Sequence, residues 1–232
     1  MDFPNLEIVR VENLQEIGLN TARMIEALSP DAAIAVSGGT TYRRVFDVWQ
    51  KELGPSFVKF FPVDERMVPF ESPESNWGMM QALLLDPLDW PDSKRCFVQR
   101  ISAHTADDYE RLLRLTFRQP MPAFDLVFLG VGSDGHTASL FPGTPQLNDY
   151  ASWVLQTESP NPPKRRITLG MGVICQARHV VIIIVGQDKR DIVTKMLKAD
   201  ETLPIVRVLK HPVMKQLFLD RDAAGSINSV EA

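Results

Sequence analysis

Short runs of β-branched and apolar residues alternate along this chain with segments whose apolar positions recur every three or four residues. "LEIVRV" (6–11) has strand character, and Leu14, Ile17, Thr21, Met24, Ile25 and Leu28 then mark one face of a helix over residues 12–28. The same reading predicts a strand at "AAIAV" (32–36), a helix over 41–53, and a strand at "VKFFPV" (58–63). "DERMVPFESPESN" follows and opens a helix that runs to about Leu85, and "DPLDWPDSK" is a proline- and aspartate-rich loop. "CFVQR" reads as a short strand, and "TADDYERLLRLTF" as a helix with Thr105 and Asp108 at a cap-like start. "FDLVFLGV" and "HVVIIIVG" are apolar throughout, as strands covered on both faces are. "SWVLQTE" and "RRITLGM" are more polar and belong nearer an edge, and "DKRDIVTKMLKAD" is the last clear helix.

Alternation of this kind predicts an α/β fold: a doubly wound, mainly parallel sheet with helices on both faces, a three-layer αβα arrangement of Rossmann-like type. No repeat, low-complexity linker or compositional break divides the chain, so residues 1–232 read as a single domain. Ligands in such folds bind beyond the carboxyl ends of the strands. That rule selects four loops: Ser37 to Thr41, Asp64 to Arg66, Gly132 to His136, and the region before Lys189.

Composition narrows the function classes. The 232 residues are 44% hydrophobic and 23% charged, ordinary values for a globular protein large enough to bury a core. A net charge of −4 supplies no general basic field, so no nucleic-acid partner is expected. Cys96 and Cys175 fit neither a disulfide framework nor a metal motif, and read as buried thiols of a reducing compartment. The N-terminal stretch is acidic where a signal peptide would be basic, and "VVIIIVG" is too short to span a bilayer. The expectation is a cytoplasmic protein with no membrane partner.

"GVGSDGHTASLFPG" (130–143) contains a full G-x-G-x-x-G at Gly130, Gly132 and Gly135, after an apolar strand. A dinucleotide site needs that turn to open an uninterrupted helix leading to the next parallel strand, with an acidic residue about 20 positions on. Glu158 meets the second condition, but Pro142, Gly143 and Pro145 would stop the helix after little more than one turn. What the loop carries instead is Asp134-Gly135-His136. An imidazole there can take and return a proton near neutral pH, and a carboxylate two residues away can fix its tautomer. A histidine that merely caps the loop is the alternative.

The other strand-end loops each have two readings. "VSGGTTYRR" places Gly38, Gly39, Thr40 and Thr41 where backbone amides suit a phosphate or sugar hydroxyls, or where a plain strand-to-helix turn needs glycine. It lacks the G-K-[ST] of a nucleotide P-loop. Asp64, Glu65 and Arg66 either bind a ligand or form a structural ion pair. Lys164, Arg165, Arg166, Lys189 and Arg190 flank the apolar strand "HVVIIIV" as a phosphate pocket or as a solvated basic face. His104, His179 and His211 have no ligand spacing and read as surface or packing residues, and Asp107 and Asp108 complement a helix dipole.

Taken together, "SGGTT", "DERMVPFESPESN", "LGVGSDGHTASLFPG" and "RRITLGMGVICQA" with "GQDK" resemble the 6-phosphogluconolactonase family over residues 37–189. The related glucosamine-6-phosphate deaminases share the sheet, the D-G-H and the basic loops. They read "NEPG" where this chain reads "LFPG", so Phe141 stands in place of a glutamate. Tyr42 stands where many family members have proline. The resemblance implies hydrolysis of 6-phospho-D-glucono-1,5-lactone to 6-phospho-D-gluconate, the second step of the oxidative pentose phosphate pathway. It implies His136 as the base for water, Asp134 as its orienting partner, and Arg166 with Lys189 on the phosphate. Arg66, Gly38, Gly39 and Thr40 would hold the rest of the substrate, and Asp64 would position Arg66 or a sugar hydroxyl. Neither a cofactor nor a metal is implied; the partner is a small sugar-phosphate lactone, and the protein a monomer or small homo-oligomer.

Overall fold

The computed structural model describes residues 3–55, 58–88 and 105–225. In chain order the first half gives β1 (Leu6–Val11), α1 (Leu14–Glu26), β2 (Ala33–Val36), α2 (Gly39–Glu52), β3 (Lys59–Pro62), β4 (Asp64–Arg66), α3 (Asn76–Met80), α4 (Asp86–Leu88) and α5 (Ala106–Phe117). The second gives β5 (Leu126–Leu129), β6 (Val154–Glu158), β7 (Arg165–Leu169), α6 (Met171–Cys175), β8 (His179–Ile184), α7 (Arg190–Leu197), α8 (Pro204–Lys210), β9 (Met214–Asp220) and α9 (Arg221–Ala224).

Six strands form one sheet in the order β1-β9-β8-β5-β2-β3, and every pairing in it is parallel. Side chains alternate across it. Ala33, Ala35, Val127, Leu129, Val180 and Ile182 join a core with α5 to α8, while Ile34, Val36, Leu126, Phe128, Val181 and Ile183 join one with α1 and α2. The sheet is therefore covered on both faces, and its central strands are buried along their length apart from His179 at the start of β8, as their apolarity predicts. On the second face Trp49 donates Nε1–H to Thr21 Oγ1 at 2.9 Å, and its ring meets Phe128 edge-on at 5.0 Å, fastening α2 to both α1 and the sheet. The helix caps follow the chemistry of their residues: Asn13 Oδ1 accepts the Glu16 N–H at 3.1 Å, and Thr105 Oγ1 accepts the Asp108 N–H at 3.2 Å.

The chain starts at the edge strand β1, crosses to β2 and from there builds in two directions. It runs from β2 to β3 on one side, then returns to β5 and proceeds through β8 to β9 on the other. The switch point lies between β2 and β5, where diverging connections leave a crevice beyond the strand ends.

Several expectations need correction. "SWVLQTE" and "RRITLGM" do not lie near an edge of the main sheet; with Asp64–Arg66 they make a separate antiparallel sheet in the order β4-β7-β6. "DER" is thus a strand and not a helix start; the helix begins only at Asn76, where Ser75 caps it, and widens into a π turn over Gln81–Leu85. The loop after Leu129 opens no α-helix: Thr137 and Leu140 bridge a tight turn, and a single 3-10 turn follows at Pro145–Asn148. "DKRDIVTKMLKAD" is not the last helix, because α8 and the central strand β9 follow it. "CFVQR" with Cys96, most of "DPLDWPDSK", and His104 lie outside the described residues.

Candidate active site

The switch-point crevice is bounded by two glycine turns. After β2, Ser37 donates its N–H to the Phe128 carbonyl at 3.0 Å, the last rung before the chain leaves the sheet. A Cβ on Gly38 would lie 1.9 Å from Asn76 Oδ1, so Asn76 occupies the space a larger residue would need. Gly39 has φ +89°, a region that glycine enters without steric cost. No side chain caps α2 at Gly38, so the amides of its first turn stay open at the positive end of the helix dipole.

The second turn folds on itself. Gly132 N–H donates to the His136 carbonyl at 2.9 Å, Gly135 N–H to the Gly132 carbonyl at 3.0 Å, and Thr137 Oγ1 to the Gly130 carbonyl at 2.9 Å. Gly135 has φ +81° and packs on Leu203, and its carbonyl accepts the Ile205 N–H at 3.2 Å, so α8 holds the loop from behind. His136 Nδ1 lies 2.5 Å from Asp134 Oδ1, which also accepts the His136 backbone N–H at 3.1 Å. Burial pushes the Asp134 carboxyl up, but the hydrogen bond and charge of His136 outweigh it and leave its pKa below the ordinary value. The Phe141 ring covers the imidazole at a centroid distance of 4.8 Å.

Cations come from the small sheet and from the turn after β8. Arg66 and Arg166 are register partners across β4 and β7. Arg66 Nη1 donates to the Glu74 carbonyl at 2.6 Å and lies 3.8 Å from its carboxylate. Arg166 is buried and donates Nε–H to the Pro163 carbonyl at 2.7 Å. Its pKa is lowered, by burial first and then by the Arg66 charge beside it. Two guanidinium groups held this close favour an anion between them. Lys189 Nζ donates to the Val131 carbonyl at 3.0 Å, on the His136 loop.

The nine residues that the family resemblance implies for the site, namely Gly38, Gly39, Thr40, Asp64, Arg66, Asp134, His136, Arg166 and Lys189, line one cavity of about 590 Å³. The other basic residues do not: Lys164 and Arg165 are exposed, and Arg190 donates to the Asp222 carbonyl at 2.6 Å. The charged triplet at 64–66 is not an internal ion pair. Asp64 accepts from Ser139 and Asn76, and Arg66 pairs with Glu74. Glu65 turns away from the cavity and accepts the N–H groups of Arg66, Asn76 and Trp77 and the Ser75 hydroxyl. Among the described residues no cluster of three or more His, Cys, Asp or Glu side chains is placed to hold a metal ion.

Ser139 and Asn76 also line the cavity, and sequence reading assigned them no role. Both lie inside quoted motifs, but an uncharged serine or asparagine carries no signal until a buried carboxylate is seen beside it.

The pattern of the family described as glucosamine-6-phosphate isomerases/6-phosphogluconolactonase matches residues 10–218. The 6-phosphogluconolactonase of Rattus norvegicus is 34% identical over 215 residues, covering 90% of this chain and 79% of that protein. The Homo sapiens protein of the same name is 38% identical over 167 residues, covering 69% of this chain and 65% of its own length. The structure of 6-phosphogluconolactonase from Trypanosoma cruzi matches with a TM-score of 0.81 at 28% identity, covering 98% of each chain. With that breadth of match, this chain belongs to the glucosamine-6-phosphate isomerase/6-phosphogluconolactonase family.

Proposed function

We propose that the protein hydrolyses 6-phospho-D-glucono-1,5-lactone to 6-phospho-D-gluconate, as one domain of the lactonase type and as an enzyme of the cytoplasm. The observation that carries this reading is the Asp134–His136 pair, which shares its cavity with Arg66, Arg166 and Lys189. The relatives' names point the same way. The buried Cys175 thiol, pushed up to about 12 chiefly by burial, suits a reducing compartment.

A lactone carbonyl is already electrophilic, so a positioned base for water and a charge-complementary pocket supply the needed assistance. Because Nδ1 faces the Asp134 carboxylate at 2.5 Å, it carries the proton, and Nε2 is left with the lone pair. Nε2 takes a proton from water as its oxygen bonds to C1, and the carbonyl becomes an oxyanion. As that intermediate collapses, the bond from C1 to the ring oxygen breaks and the imidazolium returns its proton to that oxygen. Arg166 and Lys189 hold the phosphate together with the open amide end of α2, where Gly38, Gly39 and Thr40 lie. Arg66 holds the sugar beside Arg166.

Isomerisation with loss of an amine, the family's other chemistry, needs a second acid beside the histidine; the side chain packed there is Phe141. The deciding experiment follows freshly made lactone in a coupled assay with spontaneous hydrolysis subtracted. His136→Ala retains its fold and loses about 10²–10⁴-fold in turnover. Near-normal turnover in that variant, or ammonia release from glucosamine 6-phosphate by the wild type, refutes the reading.

A further inference from the structure

We infer that Ser139 and Asn76 are positioning residues that aim the Asp64 carboxylate at a hydroxyl of the sugar ring, and that they tie this recognition to the frame holding His136. The inference rests on the lactonase reading and specifies how the site recognises its substrate.

Asp64 is only 7% exposed, and a buried carboxylate needs donors. Ser139 Oγ donates to its Oδ2 at 2.6 Å, while Asn76 Nδ2 donates to the Asp64 carbonyl at 3.0 Å and reaches Oδ1 at 3.4 Å. Among the described residues no cation forms an ion pair with it. A carboxylate offers about four acceptor sites, so lone pairs remain on a group that lines the cavity. A carboxylate with open lone pairs accepts from a neutral donor. A sugar hydroxyl is such a donor.

The frame is continuous across the cavity. Ser139 lies three residues beyond His136, and β6 and β7 pin it from both sides: its N–H donates to Thr168 Oγ1 at 3.2 Å, and its carbonyl accepts from Thr157 Oγ1 at 2.8 Å. Asn76 fills the space over Gly38 at the head of α2. The anion-binding turn, Asp64 and the histidine hairpin are thereby held at fixed spacing by two uncharged side chains.

Hydrogen bonds to a charged partner set the expected effect. Ser139→Ala raises KM for the lactone about tenfold with a smaller loss in kcat, because the lost contact is made equally in the ground and transition states. The inhibition constant of inorganic phosphate, which reads the phosphate contacts without the sugar, stays within about twofold; this separates misaiming of Asp64 from collapse of the cleft. Ser139→Ala combined with Asp64→Asn loses no more than Asp64→Asn by itself. An unchanged KM, a parallel rise in the phosphate constant, or additive losses overturn the inference. If Ser139→Ala does not fold, Ser139→Cys keeps the shape with a weaker donor and carries the same test. Wild-type protein that turns over no lactone refutes the lactonase reading, and this inference with it. Turnover with an unmoved KM refutes only the inference.

Discussion

Gly132 carries no functional group, yet its replacement by alanine should nearly abolish turnover. A Cβ there would lie 2.2 Å from both Cε1 and Nδ1 of His136 and 2.7 Å from Asp134 Oδ1. Ordinary carbon contacts are about 3.5–4.0 Å, so the imidazole must retreat by roughly 1.3–1.8 Å. A displacement of about 1 Å at a reacting group already costs on the order of 100-fold. The expected loss therefore runs from about 100-fold up to that of His136→Ala, about 10²–10⁴-fold. Stability should suffer less. The displaced ring is one-third exposed and can swing outward, so the cost falls near the low end of the roughly 1–3 kcal/mol typical of overpacking. The lactone assay supplies kcat and KM, and thermal melting supplies the stability. The double variant with His136→Ala should be no slower than His136→Ala alone, since both remove the same base. Turnover within about threefold of wild type in Gly132→Ala would refute the placement of the histidine.

Arg166→Ala should raise KM for the lactone by about 10–100-fold with a smaller fall in kcat, since the proposed contacts are charge-assisted and go to a phosphate that does not react; a fall in kcat alone would take Arg166 off the phosphate. The folded Asp134 carboxyl lies below its ordinary value, with the bonds and charge of His136 overcoming burial. Its contribution to stability is therefore present above the unfolded carboxyl pKa, about 3.9, and is lost as pH falls through the lower folded value. The stability gap between wild type and Asp134→Asn in urea titrations should close below about pH 4, and a gap that persists unchanged to pH 3 contradicts the pairing.

Legibility differed from element to element for identifiable reasons. The apolar runs 126–129 and 179–184 announced buried parallel strands, because a strand covered on both faces has no polar side to show. The strand Met214–Asp220 gives no such signal although it too lies inside the sheet: Lys215 and Gln216 interrupt its apolarity. Lys215 is fully buried all the same, and its ammonium donates to the carbonyls of Pro4, His211 and Val213, partners that no local pattern reveals. "DER" passed for a helix start because three residues are too few to show a period, and its strand state comes from pairing with Arg165–Leu169 about a hundred positions away.

The chemistry of the site followed the same division. Glycines before a histidine and aspartate at a strand end, with arginines and a lysine at other strand ends, could be read from residue types, since covalent structure dictates what a side chain can donate, accept or ionise. Position along a parallel sheet then placed those ends on one side of the molecule. Distances between remote residues have no local cause. The 2.6 Å contact of Ser139 with Asp64, the opposition of Arg66 and Arg166, and the imidazole lying over the bare Cα of Gly132 exist only once separate segments are packed together. The sequence by itself determined the inventory of reactive groups and the layered architecture that gathers them. Tertiary packing alone decided which histidine nitrogen faces Asp134 and which side chains surround Asp64, because both depend on neighbours that only folding supplies.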